Sequence, residues 1–191
     1  MKFTRWQRWL LLIIAIGGPL WIYDCWRTWR EDSQDDVIQE AAARYQVEPA
    51  LLKAVIWRES RFDPGARGSK GELGLMQIME ATARDWASAE RRLLVFHTEM
   101  LDRRKNTQCG AWYLRRLLNR YNQTDNRLAY ALADYNAGRG NVLKWMKGLA
   151  ATNSAAFLET MPFPGTREYV QAVLKRKERY DGQFSPQTKG P

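Results

Sequence analysis

The sequence predicts a nearly all-α domain, and three observations carry that prediction. Apolar residues recur at helical spacing: Leu52, Val55, Ile56 and Glu59 stand at i, i+3, i+4 and i+7 and share one helix face. Asn, Pro and Gly stand where such segments begin and end. No run alternates apolar and polar residues as a half-buried strand does, and no internal repeat is present.

Taken in order, the chain opens with Lys2, Arg5 and Arg8 ahead of an apolar run from Trp9 to Tyr23. A basic start followed by such a run directs a chain to the secretory machinery. As a helix the run spans about 22 Å, short of the ~30 Å hydrocarbon core. Trp6, Trp9, Trp21, Tyr23 and Trp26 lengthen its reach as interfacial anchors. Ala15-Ile16-Gly17 offers a signal-peptidase site, but cleavage there would leave a start as apolar as Gly18 to Tyr23. The expectation is an uncleaved signal anchor over residues 1–30, with a cleaved signal peptide as the alternative. Three basic residues before the run and two soon after it (Arg27, Arg30) point the rest of the chain out of the cytoplasm. Cys25 follows Ile22-Tyr23-Asp24, which lacks the small residues of a lipoprotein box, so lipidation is not expected.

From Glu31 the composition turns polar, and Ser33 with Asp36 resembles a capping box for a helix to about Tyr45. Pro49 suits the first turn of the next helix, which ends near Ser60. Asp63-Pro64-Gly65 and glycines 68, 71 and 74 mark a long irregular loop. Ala87 to Lys105 reads as one further helix, with Leu93, Leu94, Phe96 and Leu101 for packing. Asn106 is expected to cap a helix from Thr107 to Tyr121, with Trp112, Leu117 and Leu118 inward. Helices follow over Asn126–Asn136, stopped by Gly138, over Asn141–Lys147, and from Thr166 through Val170, Val173 and Leu174 to Tyr180. The domain is expected over residues 31–180, with a disordered tail from Asp181 to Pro191.

At 191 residues, 45% hydrophobic and 27% charged, the chain can bury a sizeable core. Nine Trp and eight Tyr suit core filling, sugar stacking or a membrane interface. The net charge of +9 favours anionic partners, such as an acidic polymer or anionic lipid. Nucleic acid is not among them, because no helix-turn-helix, Cys/His finger or Gly-Phe-rich strand motif is present. Cys25 and Cys109 are too few and too differently placed for a disulfide framework, and one histidine, His97, leaves no basis for a zinc site. His97 reads as a surface or boundary residue.

Glu59 puts a carboxylate in an apolar stripe. One reading is an end-of-helix Glu paired with Arg58 or Arg61. The other is a general acid: burial disfavours the charged form and raises the pKa, and a carboxyl group kept protonated near neutral pH can deliver a proton to a leaving oxygen. Glycoside cleavage needs such an acid.

Glu59-Ser60, then Gly74-Leu75-Met76-Gln77-Ile78, then Ala133-Asp134-Tyr135-Asn136-Ala137-Gly138 resemble the three signature motifs of the lytic transglycosylase domain of bacterial cell walls. Phe62-Asp63-Pro64, Ala81-Thr82-Ala83, the Asn106/Gly110/Tyr113/Leu114 pattern and Thr166-Arg167 with Tyr169-Val170 fit the same family. Each motif alone is weak; their order and the Glu-to-Gln separation of 18 make the set specific over about residues 36–180. The resemblance implies a lysozyme-like helical domain with an irregular Gly-rich active-site loop, preceded here by the apolar N-terminal helix. It implies that Glu59 is the single catalytic carboxyl group, acting on the peptidoglycan glycan strand with no metal and no cofactor. Ser60, Met76, Gln77, Tyr135, Asn136 and Tyr169 are the implied substrate-site residues, with Met76 as cleft wall and Tyr169 close to the acid. For Tyr135 and Tyr169 core packing is the alternative, for Gln77 and Asn136 loop or helix-end hydrogen bonding, and for Ser60 a local bond. Localisation in the envelope, at the inner membrane through the N-terminal helix, follows, and a small single domain fits a local role such as opening a gap for an envelope-spanning machine.

Two positions depart from the family pattern. Gly68 stands where many members carry a substrate-reaching serine, with Ser69 next to it, and Gly165 replaces the Glu of a Glu-Thr-Arg motif. The rival readings are a hydrolase like the goose-type lysozymes, needing a second carboxylate from Asp63, Glu72 or Asp134, and a non-catalytic wall-binding or assembly protein, against which an intact Glu59 stands.

Overall fold

A computed structural model describes residues 4–92 and 96–184 of the chain. It divides into two compact units, Met1–Asp35 and Asp36–Pro191. The first unit is occupied by helix α1 (Arg5–Asp32), which continues through Pro19. Trp9, Ile13, Ile16, Leu20, Trp21, Ile22 and Tyr23 are exposed along it. Among the described residues no helix is long and apolar enough to cross a membrane.

The second unit is all-α, as expected. Helices α2 (Asp35–Tyr45), α3 (Pro49–Ser60), α4 (Glu80–Ala89), α5 (Arg103–Arg120), α6 (Arg127–Ala137), α7 (Arg139–Trp145), α8 (Ser154–Thr160) and α9 (Pro164–Phe184) follow in order. Pro49 opens α3 because a first-turn position needs no amide donor. Residues 50 to 56 of α3 are buried on every side, a helix enclosed by its neighbours rather than one-faced. It packs chiefly on α9, and α9 packs in turn on α6, which packs on α5. Even Lys53 is wholly buried, its ammonium over the rings of Tyr180 at 5.2 Å and Phe184 at 5.6 Å. Those contacts, with Lys177 bonded to both oxygens of Asp181 at 3.0 and 3.1 Å, carry α9 beyond Tyr180, where the sequence reading ends it. Residues 185–191 of the expected tail lie outside the described residues.

Two further expectations are corrected. Ala87 to Lys105 is not one helix. Helix α4 stops at Ala89, a 3-10 turn spans His97–Leu101, and Asp102 is extended (φ −75°, ψ 121°), its carboxylate accepting the Lys105 amide at 2.8 Å. The cap chemistry of Asp102 outweighs the helical spacing. Met100 is the fully buried side chain of that stretch, whereas Phe96 is exposed; Leu93 and Leu94 lie outside the described residues. Asn106 is not a cap either. It sits inside α5, wholly buried, and its side chain serves the loop between α3 and α4. Its Oδ1 accepts from the Met76 amide at 2.8 Å, while Nδ2 donates to the carbonyls of Leu73 at 2.8 Å and Met100 at 2.7 Å. A 3-10 turn over Gly148–Ala151 and helix α8 are elements that the sequence does not predict.

The loop of residues 61–79 begins where Arg61 (φ 52°) and Phe62 (φ 64°) turn left-handed and end α3. It then folds back on itself through isolated bridges Arg67↔Leu73 and Leu73↔Ile78. Gly74 (φ 74°) is required there twice over. Its φ is left-handed, and a Cβ would come within 2.2 Å of the Met100 carbonyl oxygen and 2.3 Å of Asn106 Nδ2.

Asn106→Ala leaves one amide and one carbonyl of this loop, and the Met100 carbonyl, without their partner. At about 1 kcal/mol each, the loss is about 3 kcal/mol, or a fall in melting temperature of about 6–12 °C. Thermal unfolding followed by circular dichroism measures it, and a fall of less than about 2 °C would show that the amide does not tie the loop down.

Candidate active site

Glu59 lies in the last turn of α3, one turn beyond Ile56, where the enclosed part of the helix gives way to a partly exposed rim. Burial pushes its carboxyl group up to about 7, above the ordinary 4.5. The Tyr169 hydroxyl, donating to Glu59 Oε1 at 2.6 Å, and the Arg58 charge pull the other way but do not win, and the nearby Glu72 carboxylate adds to the rise. The C-terminal end of a helix also disfavours negative charge. Tyr169 comes from α9 and is 2% exposed, its own hydroxyl held well above the usual phenol range by burial and by Glu59, so it is a neutral donor.

A cavity of about 400 Å³ opens in front of Glu59. Gly68, Ser69, Lys70, Glu72, Gln77 and Met79 of the loop form one side, and Tyr135 and Asn136 from the last turn of α6 the other. Gln77 is left-handed (φ 48°), and its Nε2 donates to the Gly74 carbonyl at 2.9 Å, which fixes the amide. Tyr135 donates to the Met76 carbonyl at 2.7 Å and pins the loop to α6. Asn136 Oδ1 accepts from the Thr166 hydroxyl at 2.9 Å, so its NH₂ is the end of the amide left to donate.

The structure therefore gathers Glu59, Gln77, Tyr135 and Asn136 around one cavity, with Tyr169 directly behind the acid. Two of the implied site residues are placed elsewhere. Ser60 Oγ donates to the Ile56 carbonyl at 3.2 Å, a bond within the helix, and it does not line the cavity. Met76 is wholly buried over Gly110 and contributes its backbone carbonyl rather than a wall. Of the three carboxylates weighed as a second acid, only Glu72 lines the cavity. Asp63 closes a local turn onto the Gly65 amide at 3.0 Å, and Asp134 is buried with Arg120 at 2.6 Å and the Tyr121 hydroxyl at 2.7 Å. Gly165 lies in the first turn of α9 with open space around its missing side chain. Lys70, Met79 and the supporting Thr166 and Asn106 bonds had no assigned site role in the sequence; only contact across the loop identifies them. Among the described residues no group of His, Cys, Asp and Glu could hold a metal ion.

The family model described as Transglycosylase SLT domain matches residues 36–157. The chain is 31% identical over 141 residues to membrane-bound lytic murein transglycosylase F of Desulfosudis oleivorans, covering 70% of this chain and 29% of that protein. It is 30% identical over 177 residues to the soluble lytic murein transglycosylase of Escherichia coli, covering 88% of this chain and 26% of the relative. The chain thus spans less than a third of the length of these relatives. Among solved structures, an inactive mutant of the lytic transglycosylase Slt from Pseudomonas aeruginosa superposes with a TM-score of 0.71 at 29% identity, over 78% of this chain and 24% of that one. The 70 kDa soluble lytic transglycosylase of Escherichia coli gives a TM-score of 0.71 at 27% identity, over 78% and 24%.

The raised Glu59 pKa has a definite consequence for stability. The folded protein binds its proton more tightly than the unfolded chain, so the associated stability is full at low pH and is lost as pH rises from about 4.5 through about 7. Glu59→Gln, neutral throughout, should melt with the wild type at pH 4 and above it at pH 8, by up to about 3 kcal/mol. Parallel melting curves at the two pH values check this; a wild type more stable than the variant at pH 8 would contradict it. Tyr169→Phe removes a hydrogen bond that favours the ionised carboxyl, so the Glu59 midpoint should move above 7. Carboxyl-carbon NMR titration reads the midpoint, and a downward shift would refute the assigned role.

Proposed function

The chain belongs to the transglycosylase SLT domain family, and from that premise we propose that it is a peptidoglycan lytic transglycosylase. It cleaves the β-1,4 bond between N-acetylmuramic acid and N-acetylglucosamine. The observation that carries the reading is the Glu59 carboxyl group, raised to about 7 at the mouth of a polar cavity and hydrogen-bonded by Tyr169.

Glu59 in its protonated form gives its proton to the bridging oxygen as the glycosidic bond breaks. The muramyl N-acetyl group stabilises the developing positive charge at the anomeric carbon. The Glu59 carboxylate then takes the proton of the muramyl 6-hydroxyl, whose oxygen closes the 1,6-anhydro ring. The proton lost in the first step returns in the second, and no water is consumed. Tyr169 holds the carboxyl group in place through both states. The Gln77 Oε1 and the Asn136 NH₂, with their other ends engaged by the protein, offer one acceptor and one donor to sugar hydroxyls and acetamides. Tyr135 keeps the loop at the distance the sugar requires.

Residues 31–180 act as the catalytic domain on the glycan strands of the bacterial envelope. Residues 1–30 attach it at the inner membrane with the domain on the periplasmic side. The support is the exposed apolar run of α1 with Trp6, Trp9, Trp21 and Trp26 exposed along it. Its apolar run is shorter than a hydrocarbon core, so aromatic anchoring at the interface matters more than length. A local role beside an envelope-spanning machine fits a catalytic domain tethered at the membrane.

Glu72 in the cavity favours one second reading, hydrolysis by water held between two carboxylates. The products separate the two. Digestion of purified cell wall should release muropeptides whose reducing ends lack one water, as read by mass spectrometry, and Glu59→Gln should reduce release by about 10²–10⁴-fold, the worth of a positioned proton donor. Activity of the wild type should fall as pH rises through about 7, because the protonated carboxyl is lost. Fully hydrated reducing ends would replace the transglycosylase by the hydrolase.

A further inference from the structure

Gly68 and Glu72 share one space. A Cβ built on Gly68 would lie 2.3 Å from Glu72 Oε2 and 2.8 Å from Gln77 Oε1, so a side chain at 68 would push the ends of both side chains out of their present places. The Glu72 carboxylate thus occupies the space that a side chain at 68 would take, lining the cavity with Gln77, whose amide is held by the Gly74 carbonyl. The carboxylate is not loose there. Its Oε2 accepts from the Lys70 amide at 2.9 Å, and the Glu72 carbonyl accepts from the Gly68 amide at 2.8 Å, so a tight turn carries the side chain inward. Its Oε1 has no partner among the described residues. Neither of the positively charged side chains nearest in sequence, Arg67 and Lys70, forms an ion pair with it among the described residues. An ionised carboxylate is an acceptor with no donor of its own. Held next to the acid of the site and unpaired, it is matched to a group that donates.

We propose that Glu72 is a substrate-contacting, specificity-determining residue of this site, accepting a hydrogen bond from a hydroxyl or acetamido N–H of the glycan at the spot Gly68 leaves open. The assignment rests on the transglycosylase reading for the identity of the glycan. It gives Gly68 and Glu72 one function between them: the contact reaches the sugar from 72 because position 68 is empty. A site that offers a buried-edge acceptor to a sugar donor also discriminates against sugars lacking that donor, since the carboxylate is then left unpaired.

The test is binding without turnover. The full chain carrying Glu59→Gln, in detergent, is titrated calorimetrically with a soluble tetrasaccharide of alternating N-acetylglucosamine and N-acetylmuramic acid. Adding Glu72→Ala should weaken binding at least about tenfold, the worth of one hydrogen bond to a charged group. Adding Glu72→Gln, which keeps one acceptor oxygen and the size of the side chain, should weaken it less. Gly68→Ser with Glu72→Ala should recover part of the loss, because a hydroxyl from 68 then enters the same space. Melting temperatures within about 3 °C identify the variants whose affinities are compared, and if the alanine variant falls outside that window the glutamine variant decides, with an expected loss of at least about threefold. Affinity within twofold of Glu59→Gln in a folded Glu72→Ala variant overturns the assignment. If the Glu59→Gln protein binds no tetrasaccharide at all, it is the proposed substrate that falls. If wild-type digests carry hydrated ends that disappear in Glu72→Gln, the residue activates water and the contact role is overturned.

Discussion

The Tyr169 hydroxyl reaches Glu59 Oε1 at 2.6 Å because α9 packs on α3 more extensively than any other pair of helices does. That helix pair contributes to both the core and the site. Residues 50–56 of α3 are enclosed, and Tyr169, Val170 and Val173 of α9 are buried against the same core. Glu59 is the first charged position of α3 to meet open space at the cavity, and it does so at the helix end, where exposed carbonyls repel a carboxylate. Desolvation therefore outweighs the stabilisation of the anion by Tyr169 and Arg58. A donor bonded to the carboxyl group also fixes its direction, which matters more to a proton transfer than a further change in pKa.

The opposite wall is an irregular loop, and irregular backbone stays in one conformation only when its polar groups are satisfied elsewhere. Asn106 provides this from inside α5, with three bonds to the loop and to Met100. Tyr135 adds a fourth point through the Met76 carbonyl. The left-handed Gln77 (φ 48°) carries a backbone cost of about 1–2 kcal/mol. The Leu73–Ile78 pair of backbone bonds at 2.9 and 3.1 Å and the Gln77 side-chain bond to Gly74 offset it. Strain of this size, kept at a cavity, aims a side chain that a relaxed turn would point elsewhere.

The tryptophans divide between the two units in a way that gives the composition its meaning. Trp6, Trp9, Trp21, Trp26 and Trp29 all lie on α1 and are exposed. Trp86 is wholly buried, and Trp57, Trp112 and Trp145 are partly buried against the core. Aromatic residues thus fill the core in one unit and stand exposed in the other.

The sequence by itself determined the all-α class, the extent of α3 and the stop at Gly138. Each rests on local chemistry: helical spacing, proline at a first turn, a glycine free to adopt φ 81°. Glu59 as the candidate acid, with Gln77, Tyr135 and Asn136 as its companions, was legible through the short motifs that resemble those of the lytic transglycosylase domain. What lay beyond reach was every assignment that depends on a partner distant along the chain. Asn106 looks like a cap until Met76, thirty residues away, takes its oxygen. Met76 looks like a cleft wall until α5 presents Gly110 beneath it. Ala87 to Lys105 is charged and offers a few apolar residues to one helix, yet Asp102 and the burial of Met100 divide it. Glu72 is one charged loop residue among several until the empty position at Gly68 draws it into the cavity. Only tertiary structure decides these, because burial and the hydrogen bond it demands are properties of what surrounds a side chain rather than of the side chain itself.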